Sequence, residues 1–126
     1  MAGIGTAGTI IGLAKFLKER NPEIRVVGVV PKKDYEIDGT VNPKVFKPPL
    51  LSENLIDEIY EVERQKAVEA MIRLAREEGI LACISSGATV YVASKMASET
   101  KRGNIVAILA DNIYRYLSSI DTQAEV

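Results

Sequence analysis

The chain has 126 residues, of which 47% are hydrophobic and 26% are charged, so it has the size and composition of one soluble globular domain rather than of a disordered or collagen-like protein. Sixteen basic and seventeen acidic residues give a formal net charge of −1, which indicates neither nucleic acid nor an anionic membrane as a partner. The absence of histidine and the single cysteine, Cys83, exclude histidine-based catalysis, Cys/His metal sites and an internal disulfide.

The first half of the chain predicts a glycine-rich turn over residues 3–9, followed by a helix and a strand. Apolar residues at helical spacing follow the turn, namely Ile10, Leu13, Ala14 and Leu17. The Asn21-Pro22 pair ends this helix, and the β-branched run 25–30 predicts a buried strand. Because only Met1 and Ala2 precede the turn, we expect no strand before it. Residues 31–51 contain four prolines and predict a long loop.

The second half predicts a strand at 59–62 and a helix that ends at Gly79. The apolar stripe of this helix consists of Val68, Met71, Ile72 and Ala75. A short apolar run at 80–84 predicts another strand, and a buried helix follows at 88–97. The run 104–109 has the clearest strand pattern in the chain, and 113–120 is a short mixed segment.

This order of elements predicts one α/β domain over residues 1–126. We expect a three-layer, open and mostly parallel sheet with helices on both faces, similar to a Rossmann fold. No apolar run is long enough to cross a bilayer, and the N-terminus does not resemble a signal peptide, so we expect a cytoplasmic protein.

The glycine turn is a candidate anion site because the first turn of a helix has unpaired N–H groups and the positive end of the helix dipole. Gly3, Gly5 and Gly8 satisfy the dinucleotide pattern G-x-G-x-x-G. That pattern also requires a strand before the turn and an acidic residue at the end of the next strand, and here Pro31 is followed by two lysines. A turn that only starts a helix, with small residues for close packing, is the alternative.

Five segments resemble the C-terminal half of cysteine synthase. They are GIGTAGTIIG at 3–12, VVGVVP at 26–31, ENLIDEIYEV at 53–62, EEGILACISSGA at 77–88 and NIVAILADNIYRYLS at 104–118. This family comprises O-acetylserine sulfhydrylase and its cystathionine β-synthase relatives, which are pyridoxal-phosphate enzymes of fold type II. The resemblance covers nearly the whole chain and implies the fold of a partial type II domain, like that of tryptophan synthase β.

The resemblance also implies which residues contact the cofactor. The cofactor phosphate would bind at the turn formed by Gly5, Thr6, Ala7, Gly8 and Thr9. Asn112 matches the family's serine that hydrogen-bonds the pyridine nitrogen. Ser85 matches a segment that lines the cofactor cleft, although Ser85 or Ser86 is equally well interpreted as a helix N-cap. No catalytic residue and no metal ligand is predicted in this chain.

The chain departs from the family at several positions. The lysine that forms the Schiff base belongs to the family's N-terminal, lysine-bearing domain, which is absent from these 126 residues. Ala7 and Cys83 replace glycines, and Asn112-Ile113 replaces Ser-Gly, so that Ile113 is expected to hinder a tight turn.

Two functions follow as expectations. The chain is the C-terminal portion of a cysteine synthase-like transferase, which makes cysteine from an activated serine and sulfide and is inactive as this portion alone. The alternative is a non-catalytic α/β module that binds a phosphate-type anion and self-associates. The expected partners are pyridoxal phosphate or phosphate, and either a second copy of the chain in a homo-oligomer such as a dimer or an N-terminal half.

Overall fold

The structure is a computed structural model that describes residues 1–119, so Ile120 of the predicted mixed segment lies outside the described residues. Three parallel strands form the sheet in the order β1-β2-β3, and three α-helices pack on it. The strands are β1 (Ala2–Gly3), β2 (Val27–Pro31) and β3 (Glu58–Val62), and the helices are α1 (Gly8–Arg20), α2 (Arg64–Glu78) and α3 (Ile84–Glu99). Short 3₁₀ segments occupy Glu53–Leu55 and Ile113–Ser119.

The sheet separates two hydrophobic clusters because successive side chains of a strand point to opposite faces. Val27 and Val29 belong to one cluster together with residues of α2 and α3. Val26 and Val30 belong to the other cluster, together with Ile10 and other residues of α1. The fold is therefore three layers with helices on both faces, which confirms the predicted fold class.

The expectation that no strand precedes the glycine turn is wrong. Ala2 pairs with Gly28 and Gly3 pairs with Val29, so two residues suffice for a short parallel strand. The turn therefore begins at the carboxyl end of a strand, where ligands of open α/β sheets bind.

Gly79 ends α2 as predicted, with a left-handed φ of 70° that glycine adopts without steric cost. The predicted strand at 80–84 is wrong, because this segment makes only one antiparallel bridge, between Ala82 and Asn112. Helix α3 starts earlier than predicted, and its N-cap is Cys83. Neither Ser85 nor Ser86 caps the helix, because both lie inside its first turn.

The predicted strand at 104–109 also does not form. The Ile108 N–H donates to the Met1 carbonyl at 3.0 Å, and the Met1 amine donates to the Val106 carbonyl at 2.7 Å. This is the hydrogen-bond pattern of a parallel ladder, but within residues 1–119 only Met1 exchanges backbone hydrogen bonds with the segment, and one residue cannot define a strand pair.

Helices α2 and α3 pack closely at Gly87. A β-carbon on this residue would lie 2.1 Å from the Ala67 carbonyl oxygen and 2.8 Å from the Met71 β-carbon. Only glycine allows this separation of the helices, which explains one glycine of the EEGILACISSGA segment. Within residues 1–119, no helix is both long enough and apolar enough to cross a membrane.

Candidate active site: the glycine turn between two helix starts

The glycine turn leads from β1 into α1 and is covered by the long loop after β2. The Ile4 N–H donates to the Val29 carbonyl at 3.0 Å, and the Val41 N–H donates to the Ile4 carbonyl at 2.8 Å. The Gly39 carbonyl oxygen would lie 2.6 Å from a β-carbon on Gly5. The turn is therefore fixed on one side by β2 and on the other by the loop.

Ala7 is the N-cap of α1 and adopts a left-handed conformation with φ of 69°. This conformation favours glycine, which explains why the resemblance predicts glycine at this position. The Ala7 side chain is only 3% exposed and lies in the hydrophobic cluster with Ile4 and Ile10. The Ala7 methyl group therefore lies in the core.

The start of α1 presents its N–H groups to the surface. No side chain caps the helix, and its first turn contains no acidic residue. Thr6, Gly8 and Thr9 are exposed, and the Gly8 N–H makes only a long contact of 3.4 Å with the Thr6 hydroxyl oxygen. Because four N–H groups at a helix start have no partner within the helix, this exposed end can bind an anion.

A small cavity connects the start of α1 with the start of α3. It has a volume of about 50 Å³ and is lined by Gly3, Thr9, Thr40, Ser85, Ser86 and Thr89, among other residues. Two helix N-termini therefore face the same space, and each contributes partial positive charge.

The hydroxyl groups at the start of α3 are held close to the Cys83 thiol. The Cys83 Sγ atom lies 3.1 Å from the Ser85 hydroxyl oxygen and 3.1 Å from the Ser86 hydroxyl oxygen. The Thr89 hydroxyl donates to the Ser85 carbonyl at 3.1 Å. Cys83 and Ser86 are each only 1% exposed, whereas Ser85 is half-buried and can contact a ligand.

Asn112 is not among the residues that line this cavity, although Ala110 is. Its side-chain oxygen accepts the Tyr114 N–H at 3.0 Å, which closes a tight turn. Ile113 packs against the cluster under α2 and α3. The turn forms with Ile113 in this position, and the half-buried Ile113 side chain packs at the edge of the cluster.

Sequence reasoning missed Gly39 and Thr40, which line the cavity from the long loop. The Asp38-Gly39 dipeptide is a turn signal, but nothing in the sequence shows that this turn lies over residue 5. On its other side the loop borders an open groove of about 410 Å³, which is lined by Tyr35 and Phe46 among others. This volume is within the range of small-molecule sites.

None of the nine lysines is buried, and all of them belong to the described residues. Lys18 binds Asp57 with its ammonium group 2.7 Å from a carboxylate oxygen, and Lys32 pairs with Glu63. Residues 1–119 contain no cluster of acidic, cysteine or histidine side chains that could hold a metal ion.

Comparisons with known proteins agree with this geometry. A profile of the pyridoxal-phosphate dependent enzymes matches residues 1–111. The chain is 36% identical over 120 residues to cysteine synthase B from Pseudomonas aeruginosa, covering 94% of the chain and 40% of the relative. It is 38% identical over 128 residues to a cysteine synthase from Staphylococcus aureus, covering 94% of the chain and 41% of the relative. The chain thus spans about 40% of the length of these relatives.

Solved structures give the same result. The cysteine synthase of Entamoeba histolytica superimposes with a TM-score of 0.88 at 29% identity, covering 94% of the chain and 38% of that structure. An O-ureido-L-serine synthase superimposes with a TM-score of 0.85 at 35% identity, covering 93% of the chain and 40% of that structure. These matches confirm the resemblance on which the sequence interpretation rests.

Proposed function

The chain belongs to the pyridoxal-phosphate dependent enzymes, and from this we propose that it is the phosphate-binding portion of a cysteine synthase-like β-replacement enzyme. The complete enzyme would make cysteine from an activated serine and sulfide. The free thiol of Cys83 is consistent with a reducing compartment and supports the cytoplasm as the location.

The observation that carries this proposal is the uncapped, exposed start of α1 beside the start of α3. N–H groups of the turn formed by Gly5, Thr6, Ala7, Gly8 and Thr9 would bind the cofactor phosphate. The dipole of α3, whose first turn also lacks acidic residues, adds positive charge on the other side of the cavity. The described residues fit the phosphate group of the cofactor, because the start of α1 offers N–H donors that are open to the surface.

Pyridoxal phosphate, when bound, supplies an electron sink for bonds broken at the amino-acid substrate. The residues of this chain would bind and orient it. The Thr6 and Thr9 hydroxyls can donate to phosphate oxygens, and Ser85 contributes a half-buried hydroxyl to the cavity lining. The side-chain oxygen of Asn112 already accepts the Tyr114 N–H, so its NH₂ group is the part left to donate to the pyridine nitrogen.

The covalent anchor would come from outside these 126 residues, because no lysine of the chain matches the family's Schiff-base lysine and none is buried. An N-terminal half, or another chain that carries such a lysine, would complete the site. A second candidate function is a non-catalytic module that binds a phosphate-type anion, and it is supported by the exposed start of α1 together with the absence of a buried lysine from the chain.

The phosphate site can be tested with Gly8→Val and the matched control Gly12→Val. A β-carbon on Gly8 meets only the Thr6 hydroxyl at 3.5 Å and a Leu50 methyl group at 3.9 Å, so the fold tolerates the substitution. Helix side chains lean toward the N-terminus, so the branched side chain at 8 would occupy the space in front of the N–H groups. Gly12 has no atom within 4 Å, and Gly12→Val leaves that space open.

We expect pyridoxal phosphate and inorganic phosphate to raise the melting temperature of the wild type and of Gly12→Val, but not of Gly8→Val. Pyridoxal without its phosphate should have no such effect. A ligand at ten times its Kd stabilises by about 1.4 kcal/mol, which thermal unfolding can measure. Equal stabilisation of both variants would place the anion elsewhere and contradict the proposal.

The two candidate functions differ in what the chain does with the cofactor. We expect borohydride reduction in the presence of pyridoxal phosphate to label no single lysine stoichiometrically, and the chain alone to form no cysteine from O-acetylserine and sulfide. Addition of a lysine-bearing N-terminal half should restore activity if the chain is a portion of the enzyme. If activity is not restored although phosphate binds, the non-catalytic module is the better description.

A further inference from the structure

Asn42 is a buried polar residue of the long loop after β2. Its exposed fraction is 5%, although residues 44–47 of the same loop are all exposed. Ser86 and Thr89, which are also polar and buried, belong instead to the start of α3. Because a buried polar group costs free energy unless it is hydrogen-bonded, the position of Asn42 needs a structural reason.

Each polar atom of the Asn42 side chain has a partner. The NH₂ group donates to the Pro31 carbonyl at 2.8 Å and to a Glu61 carboxylate oxygen at 3.3 Å. The side-chain oxygen accepts the Lys44 N–H at 2.9 Å, which closes a tight turn. Pro31 is the last residue of β2, and Glu61 of β3 is paired with Val30 of β2. Asn42 therefore ties the loop to the carboxyl ends of two neighbouring strands.

The Glu61 carboxylate is itself held in place. The Lys44 ammonium nitrogen lies 2.6 Å from the same carboxylate oxygen that accepts the Asn42 NH₂ group. The hydrogen bonds from Lys44, and then from Asn42, lower the pKa of Glu61, so this acceptor is charged at neutral pH. The loop is thus anchored by a bond to a backbone carbonyl of β2 and by a bond to a charged side chain of β3.

The loop residues just before Asn42 cover the glycine turn. The Val41 N–H donates to the Ile4 carbonyl at 2.8 Å, and the Gly39 carbonyl occupies the space beside Gly5. These two contacts lie one and three residues from Asn42 in the sequence. A displacement of Asn42 would therefore disturb both contacts that hold the turn in its observed shape.

We propose that Asn42 is a positioning residue for the candidate phosphate site, because it fixes the loop that keeps the glycine turn in its binding conformation. The inference rests on the proposed function for the identity of the ligand, a phosphate group at the turn. Asn42 does not line the small cavity and acts through the loop. When the loop is released, only the fraction of molecules that retain the binding conformation can hold phosphate, and the apparent Kd rises accordingly.

Asn42→Ser and the matched control Lys47→Gln test this role in the 126-residue chain. Serine keeps a side-chain oxygen for the turn but has no NH₂ group for the Pro31 carbonyl. Lys47→Gln removes an exposed ion pair of the same loop, with Glu53, and leaves Asn42 untouched. We expect the Val41 N–H to exchange with solvent at least about fivefold faster in Asn42→Ser, because the loss of a buried hydrogen bond makes local opening easier. Lys47→Gln should exchange like the wild type.

The affinity for inorganic phosphate separates positioning from a purely structural role. Calorimetric titration, at a temperature where the variants are folded, should give a Kd at least about fivefold higher for Asn42→Ser and an unchanged Kd for Lys47→Gln. Val68→Ala destabilises the core under α2, on the other face of the sheet, and should also leave the Kd unchanged. An unchanged exchange rate in Asn42→Ser, or faster exchange with an unchanged Kd, would overturn the proposal.

Asn42→Asp repeats the test if Asn42→Ser does not fold. Aspartate has the size of asparagine, but its carboxylate cannot donate to the Pro31 carbonyl and would lie near the Glu61 carboxylate. Loss of the folded state in both variants, measured by circular dichroism, would overturn the proposal, because Asn42 would then support the whole domain. If the wild type binds no phosphate, the proposed function fails, and the exchange of the Val41 N–H still decides whether Asn42 fixes the loop.

Discussion

The Gly39 carbonyl oxygen occupies the space that a side chain on Gly5 would need, because a β-carbon on Gly5 would lie 2.6 Å from that oxygen. Residue 5 belongs to the turn before α1, and residue 39 belongs to the long loop after β2. The contact therefore joins two segments far apart in the sequence at the candidate phosphate site. It makes the shape of the turn depend on the position of the loop.

We expect Gly5→Ala to destabilise the protein by about 1–3 kcal/mol, because a backbone carbonyl must move to accept the new methyl group. The control is Gly12→Ala, where no atom lies within 4 Å and alanine is the better helix former, so stability should rise by about 0.5–1 kcal/mol. Urea unfolding of the two variants measures the difference. Equal stability of both variants would mean that the loop does not rest on the turn.

Much of the fold follows from local patterns in the sequence. The helices α1 and α2 have apolar stripes at helical spacing, and β2 is a β-branched run between turn residues. The segment 104–109 has the same strand pattern but forms no strand, because a strand also needs a paired partner and, among residues 1–119, only Met1 exchanges backbone hydrogen bonds with it. Local sequence predicts the tendency to extend, whereas pairing depends on the rest of the chain.

We expect Gly87→Ala to destabilise the protein by about 3 kcal/mol, since the added methyl group would lie 2.1 Å from the Ala67 carbonyl oxygen and must separate α2 from α3. Gly79→Asn is a suitable comparison. Gly79 is the C-cap of α2 and has a left-handed φ of 70°, which asparagine tolerates. Because no atom lies within 4 Å of a β-carbon at this position, the loss of stability should stay below about 1 kcal/mol. Thermal unfolding should therefore give Gly87→Ala a clearly lower melting temperature than Gly79→Asn.

Ala7 tests whether its methyl group belongs to the core or to the ligand site. Ala7→Gly relieves the left-handed strain of about 1 kcal/mol but loses a buried methyl group worth about 0.8 kcal/mol, so stability should change by less than about 1 kcal/mol. Stabilisation by phosphate should remain. Ala7→Val should lower the free energy of unfolding by more than about 2 kcal/mol, because a β-branched side chain at this left-handed φ is strained. Much tighter phosphate binding by Ala7→Gly would show that the methyl group obstructs the site.

The candidate site was only partly predictable. The turn at residues 5–9 follows from glycine spacing and from the helix that starts at Gly8. Its cover by Gly39 and Thr40 was not predictable, because a loop without periodicity gives no information about the surface on which it packs. The position of Asn112 outside the cavity depends on its antiparallel bridge with Ala82, which joins two irregular segments.

Asp57 connects α1 to the sheet and gives a prediction about pH. Its carboxylate oxygens accept hydrogen bonds from the Lys18 ammonium nitrogen at 2.7 and 2.9 Å and from the Val26 N–H at 2.6 Å. The hydrogen bond from Lys18, and then that from the Val26 N–H, hold the pKa of Asp57 below its usual value near 3.8. A carboxyl group with a lowered pKa in the folded state stabilises the protein above its unfolded pKa, and this contribution is lost as pH falls through the folded pKa.

We therefore expect Asp57→Asn to be less stable than the wild type by about 1 kcal/mol or less at pH 7, because the pair is partly exposed and the amide oxygen can still accept the Val26 N–H. The difference should begin to shrink as the pH falls below the usual aspartate pKa near 3.8, and it should disappear as the pH falls through the lower pKa that Asp57 has in the folded protein. Glu61 and Glu63 also have a lowered pKa, from bonds to Lys44 and Lys32, but both remain in the variant and cancel in the comparison. Urea unfolding of both proteins between pH 7 and about pH 2 gives the two curves, and a difference that stays constant over this range would show that the charge of Asp57 contributes nothing to stability.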